Sequence, residues 1–291
     1  MIKNYFLGFL ALVCMMLTMT SCQSTEHETD DNVRRVSLNL HVTQFEQVPF
    51  DQAVAASRAT DVSQVCSHLC FAIYDMRNKL VESVTQNVGD PTFGQVSLSL
   101  NAGSYRVVVL AHSSSIKLDL SNPESIGFGD DVTDTFYDGE VIKVDNENVN
   151  RDIQLRRVVT KFELVTTDNV PAKANYVSMS YKGGMGCAFD AVKGVGVNAA
   201  KGISKNLTAD EIGKPITIAL YAFPLSEQET TTEITVSFKN INIDFDKSRT
   251  FSNVPVQRNV ITRYTGNFFS NAAFAVSMTS IDEWGSRDVN F

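Results

Sequence analysis

The sequence predicts an all-β fold, and three observations carry that expectation. Short stretches of strict apolar–polar alternation, the period of a half-buried strand, recur along the whole chain. Gly, Asn, Asp and Pro fall between them at turn positions. The three-to-four-residue apolar spacing of an amphipathic helix is almost absent. At 291 residues, with 43% hydrophobic and 20% charged residues, the chain has ample apolar material for a core and is unlike a disordered protein. Many short strands joined by turns read as β-sandwiches, and the length suggests two in line.

Taken in order, Lys3 precedes an apolar run from Tyr5 to Leu17, followed by Met19-Thr20-Ser21-Cys22. A charged start, an apolar middle and small residues at a cut are the parts of a secretory signal. Cys22 directly after Thr20 and Ser21 resembles a bacterial lipobox, in which the chain is cut between Ser21 and Cys22 and the thiol receives palmitate-type acyl chains. Met19 departs from it, since Leu is usual there. A plain signal peptide or a membrane anchor is the alternative, but the apolar run is shorter than the roughly 20 residues that span a bilayer. Several acyl chains on Cys22 hold the lipid bilayer stably where one holds marginally. Residues 1–21 are therefore read as signal and 22–34 as a lipidated leader. Glu26, Glu28, Asp30 and Asp31 make that leader acidic, either as a plain flexible tether or as a stretch resembling the export signal of surface lipoproteins in Bacteroidetes-type bacteria. The expected location is the cell outer membrane, surface-exposed rather than periplasmic.

The body opens with Val36, Leu38, Leu40 and Val42 alternating with Ser37, Asn39, His41 and Thr43. Residues 46–64 read as loop. Leu69, Phe71 and Ile73 alternate with Cys70, Ala72 and Tyr74, and a turn near Arg77-Asn78 returns the chain through Leu80–Thr85 as a hairpin. Val96, Leu98 and Leu100 form the next strand, and Asn101-Ala102-Gly103 turns into Tyr105–Ala111. Residues 113–135 read as a long ordered loop. Strands resume at 136–144 and 152–155, and 156–167 reads as one strand at a domain boundary. Beyond it come a strand at 177–181, a glycine-rich loop at 182–202, one helical turn at 207–212 with Thr208 as a possible cap, and strands at 216–223, 232–238, 241–245, 256–268 and 273–279.

No constellation of catalytic type emerges, and the chain is read as a non-enzyme without cofactor. The four histidines fall in no metal-ligand spacing, and no Gly-x-Ser-x-Gly elbow is present. Cys66, His68 and Cys70 alternate, so on a strand they share one face. Cys66 and Cys70 then stand about 13 Å apart, too far for one disulfide or one zinc. Buried thiols are the expectation, with a bridge to Cys187 or a metal as alternatives. Asp130, Asp131 and Asp134 lack the spacing of a calcium loop and read as solvated. The glycines at 182–202 lack the Gly-Lys-Ser/Thr ending of a phosphate loop. A net charge of −8 without a basic patch gives nucleic-acid binding no support.

Two stretches, Val158-Val159-Thr160-Lys161-Phe162-Glu163-Leu164 and Val256-Gln257-Arg258-Asn259-Val260-Ile261-Thr262-Arg263-Tyr264-Thr265-Gly266-Asn267, resemble the FimB-like fimbrium anchor family of type V pili. So do Ala102-Gly103-Ser104-Tyr105 with the apolar strand that ends at His112, and the tail from Trp284 to Phe291. The resemblance implies two tandem transthyretin-like β-sandwich domains, here 35–155 and 156–291. It implies a lipoprotein that anchors a pilus to the outer membrane and limits its length, by strand exchange with pilus stalk subunits, and it carries no catalytic residues. A stalk or tip subunit and a surface glycan-binding lipoprotein are the alternatives. Arg258 and Asn259 either contact a partner or shape the local sheet and turn. Phe274, Val276 and Met278 alternate as a donated strand does, or as an ordinary last strand does. Val289 and Phe291 end the chain in the same alternation.

Overall fold

The structure is a computed structural model describing residues 35–45, 62–197, 202–270 and 274–280; for Phe274–Ser280 it describes the backbone pairing. The first half holds β1 (Val36–Phe45), the single-turn α1 (Val62–Val65), β2 (His68–Asp75), β3 (Leu80–Asn87), β4 (Gln95–Leu100), β5 (Gly103–His112), β6 (Ile126–Gly127), β7 (Phe136–Val144) and β8 (Val149–Arg157). The second holds β9 (Thr160–Thr166), β10 (Tyr176–Lys182), β11 (Met185–Gly186), β12 (Ala188–Asp190), β13 (Val195–Val197), β14 (Gly202–Asn206), β15 (Thr217–Pro224), β16 (Thr230–Asn240), β17 (Phe245–Val256), β18 (Val260–Gly266) and β19 (Phe274–Ser280). The fold is all-β, as the alternation predicts.

In the first half seven strands run in the order β3-β2-β5-β7-β8-β1-β4. β7 and β8 pair only at Phe136↔Arg157 and Tyr137↔Arg156, and along this seam the sheet folds over on itself. The layer β4-β1-β8 contributes Leu38, Leu40, Leu98 and Ile153 to the core, and the layer β3-β2-β5-β7 contributes Phe71, Ile73, Val109 and Phe136. The outer faces of the two layers differ. That of β4-β1-β8 is polar, which is why β1 alternates so cleanly. Cys70, Ala72, Tyr74, Val108 and Leu110 on the outside of β2 and β5 are instead buried beneath Leu118, Ile126 and Phe128 of the long loop and beneath Phe189, Phe223 and Ile261 of the second half.

In the second half a four-stranded sheet, β14-β10-β16-β17, faces a five-stranded one, β11-β15-β9-β18-β19. Phe162, Leu164, Met179, Phe238, Phe251 and Tyr264 fill the space between them. A small third sheet, β13-β12-β6, has two strands from the second half and one from the first, through Ala188↔Gly127 and Phe189↔Ile126. The halves thus share a core and a sheet, and residues from Arg34 onward form one compact unit.

Several expectations need correction. The glycine-rich stretch is not plain loop: β11, β12 and β13 thread it, and Gly196 lies so close to the Phe223 carbonyl that a Cβ would collide. The strand read at Ile241–Phe245 is instead the turn of the β16–β17 hairpin over Ile241–Asp244, where Asn242 N–H donates to the Asn240 side chain at 2.9 Å, and Phe245 opens β17. The strands read at 156–167 and 256–268 are each broken, at Val158-Val159 and at Gln257–Asn259. Cys66 does not share a face with Cys70. It caps α1, its thiol 3.6 Å from the Val62 carbonyl, and packs in the first core while Cys70 packs in the shared one.

Candidate interaction interface

β1 lies inside its sheet, antiparallel to β4 and parallel to β8. Leu38 opposes Leu98 on one side and Val149 on the other, and Leu40 opposes Val96 and Arg151. Val36, Leu38, Leu40 and Val42 are all buried. At about 1.5–3 kcal/mol for each fully buried aliphatic side chain, their burial is a large part of what holds the strand. On the outer face the side-chain amide of Asn39 donates to Asn150 at 2.8 Å, the Ser37 amide donates to Asn148 at 3.0 Å, and His41 faces Asp152 at 3.8 Å. Asn39, His41, Asn150 and Asp152, with Thr92, Gln95 and Ser97, line an open concavity of about 450 Å³.

β19 forms the outer edge of the five-stranded sheet. It runs antiparallel to β18, with Phe274 opposite Gly266, Val276 opposite Tyr264 and Met278 opposite Thr262. Its far side has no neighbour among the described strands. Ser21, Cys22, Val289 and Phe291 lie outside the described residues.

Asn259 is 5% exposed and offers no surface to a partner, which corrects the partner-contact reading for it. It holds the turn before β18 in the left-handed region at φ 60, a conformation Asn tolerates. Its side-chain carbonyl accepts from Nη1 of Arg157, and its amide donates to the Val159 carbonyl at 2.9 Å. Arg258 is half-buried and donates through Nη2 to the Gly194 carbonyl. Both residues hold the turn through these bonds. Sequence reasoning missed Arg157, which is fully buried at the end of β8. Its Nε and Nη2 donate to the two Asp134 oxygens at 2.6 and 3.0 Å, and its guanidinium lies 4.8 Å from the centre of the Phe136 ring. Asp134 belongs to the long loop, Phe136 to β7 and Asn259 to the second half, so one side chain ties three segments together. The available signal was an arginine standing next to Val158-Val159 in a strand of apolar neighbours.

The acidic loop is not merely solvated either. Asp131 accepts from the Ser115 amide at 2.5 Å and from the Ser115 and Ser114 hydroxyls at 2.7 and 3.2 Å. Burial raises its pKa, but those hydrogen bonds outweigh it and hold the carboxyl below its usual range. Among the described residues no cluster of three His, Cys, Asp or Glu fits a metal. Cys66, Cys70 and Cys187 are buried and in no disulfide, and burial pushes the Cys66 thiol up to about 12 and raises that of Cys70. Such thiols stay protonated and unreactive. His112 sits 3.6 Å from the Cys70 sulfur with burial, then His68, depressing its pKa to about 4.

No protein of curated function matches this chain in sequence. Among solved structures, a candidate adhesin from Bacteroides ovatus aligns at a TM-score of 0.51 and 11% identity, covering 88% of this chain and 95% of that one. A second candidate adhesin from the same species aligns at 0.50 and 16% identity, covering 80% and 87%. These likenesses show a shared fold. A fimbrial assembly protein from Parabacteroides distasonis aligns at 0.43 and 13% identity, covering 88% and 98%. The family model that matches the sequence, over residues 28–284, is that of DUF6562, a family of unknown function, and the chain belongs to it.

Proposed function

We propose that this chain is a fimbrium-associated surface lipoprotein that anchors a pilus at the outer membrane and limits its length. The observation that supports the reading is β1, paired on both sides within its own sheet with its apolar side chains buried. A body tied to lipid through Cys22 has to keep that strand, because a cut behind it severs the body from the membrane. A filled seat also takes no strand from another subunit. The chain's other end is free to be donated: an extended segment joins an open sheet through backbone hydrogen bonds, with alternate side chains filling pockets. We assign that contact with the stalk subunit to the segment beyond Ser280, with Val289 and Phe291 as its apolar side chains. The role is structural rather than enzymatic. The FimB-like motifs and the adhesin-type fold agree with it.

Deleting residues 281–291 tests the reading. The truncated chain is expected to stay membrane-bound while pili appear in the medium. Normal pili retained at the cell surface overturn C-terminal donation. A stalk role predicts instead that β1 is removed by proteolysis, which mass spectrometry of the mature N-terminus detects. One observation favours a second reading, glycan binding. The concavity over β1 is of small-ligand size and presents the amide, carboxylate and imidazole groups that bind sugar hydroxyls. Binding on a glycan array that is lost in Asn39→Ala decides for it.

A further inference from the structure

Three arginines from separate elements meet around Tyr137. Arg106 stands on β5, Arg156 on β8 directly opposite Tyr137, and Arg258 in the turn between β17 and β18. Each lies within electrostatic reach of the Tyr137 phenol, and Arg156 lies within reach of Arg258. Tyr137 itself is fixed. Its hydroxyl donates to the Ala191 carbonyl at 2.6 Å, and its ring meets that of Phe189 edge-on at 4.9 Å. It lies across Gly139, where any Cβ would collide with the hydroxyl oxygen. Arg258 is anchored beside it by its bond to the Gly194 carbonyl.

Among the described residues no carboxylate is in direct contact with this arrangement. The Nε–H groups of Arg106 and Arg258 are sealed from solvent and have no hydrogen-bond partner among the described residues. None of the three arginines forms an ion pair with a carboxylate among the described residues. The acids nearby are engaged or distant. Asp190 is held by Lys193 Nζ at 3.0 Å and by the amides of Val192 and Lys193. Asp138 accepts from the amides of Gly139 and Gln154 and acts on Arg156 through space only. Glu227 is exposed and acts on Arg258 through space only. Buried donors in native proteins are almost always satisfied, and an orphaned one signals an absent water or ion. Two orphaned guanidinium donors thus stand beside a third, exposed arginine, Arg156.

We propose that this arginine cluster is an oxyanion site, which takes a carboxylate, sulfate or phosphate group between Arg106, Arg156 and Arg258. Guanidinium forks match the paired oxygens of such groups, and charge-assisted bonds are the strong ones. Arg106 and Arg156 belong to the first half of the molecule and Arg258 to the second, so the bound anion bridges the two.

The test follows the arginine Nε–H resonances of the mature chain by NMR while sodium sulfate, sodium phosphate or sodium acetate replaces sodium chloride at constant ionic strength. The Arg106 and Arg258 signals are expected to move saturably with the anion that fits. Preference for sulfate or phosphate identifies a free oxyanion, and preference for acetate identifies a carboxylate presented by another molecule. In Arg106→Gln and Arg258→Gln the affinity is expected to fall about tenfold or more, with exposed Arg77→Gln unchanged. Signals that respond alike to all four salts, chloride included, overturn the proposal. The titration of the unmodified chain decides it even if a variant fails to fold.

Discussion

Replacing Arg157 with Met removes the buried charge and keeps most of the stem's volume. Arg157 has no exposed surface, and its two bonds to Asp134, at 2.6 and 3.0 Å, form a bidentate pair. Breaking a buried pair from one side costs about 3–5 kcal/mol, because the remaining charge loses its partner. Asn259 loses the donor to its side-chain carbonyl, about 1 kcal/mol more. Asp134, part of whose side chain reaches water, recovers some solvation and offsets that loss. The net expectation is a loss of about 4 kcal/mol, a large share of the 5–15 kcal/mol typical of a folded domain. Urea unfolding followed by circular dichroism reads it. Asp134→Asn alone should also destabilise, whereas adding it to Arg157→Met should cost little further, since no charge then remains unpaired. A loss under about 1 kcal/mol for Arg157→Met, or strict additivity in the double variant, refutes the reasoning.

Cys22→Ala is expected to move the chain from membrane fractions to the soluble fraction, read by fractionation and immunoblot. Leu38→Ala, at a fully buried position of β1, should cost about 2–5 kcal/mol, whereas Asn39→Ala on the outer face should cost under about 1 kcal/mol in the same assay. The His112 pKa lies near 4 in the fold and near 6.5 in the unfolded chain, so the unfolded state binds the extra proton between those values. Stability should therefore fall as pH drops from about 6.5 to 4, by about 3 kcal/mol at most, and flatten below. In His112→Gln that part of the slope should vanish.

Where a strand faces water on one side, the sequence spelled it out. Val36 to Thr43 alternates because the outer face of β1 is solvated. Where both faces are covered, alternation misleads. Cys70, Ala72 and Tyr74 look like the solvent side of a strand, yet they form a second core with residues from the other half of the molecule. Ile241-Asn242-Ile243-Asp244 has the period of a strand, but Asn240 bonds its own backbone two residues on and makes a turn, leaving Ile241 72% exposed. The pairing of β6 with β12 and the Arg157–Asn259 bond lie across 60 to 100 residues of chain, beyond anything local spacing encodes. Asn259 itself was legible, since a left-handed turn before a strand favours Asn or Gly.

The position of β1 also sets a schedule. Asn39 and Asn150 are bonded neighbours separated by 111 positions, so the parallel partner of β1 leaves the ribosome long after β1 does. At about 5–20 residues per second the delay is roughly 5–20 s. For that interval the strand has its antiparallel mate at most, and the apolar row from Val36 to Val42 stays uncovered on one edge, open to pairing with another nascent chain. Closing so long a loop is slow, since its entropy is spent before the contacts form. The first sandwich thus matures last at its oldest residues, on the pairing of β1 with β8.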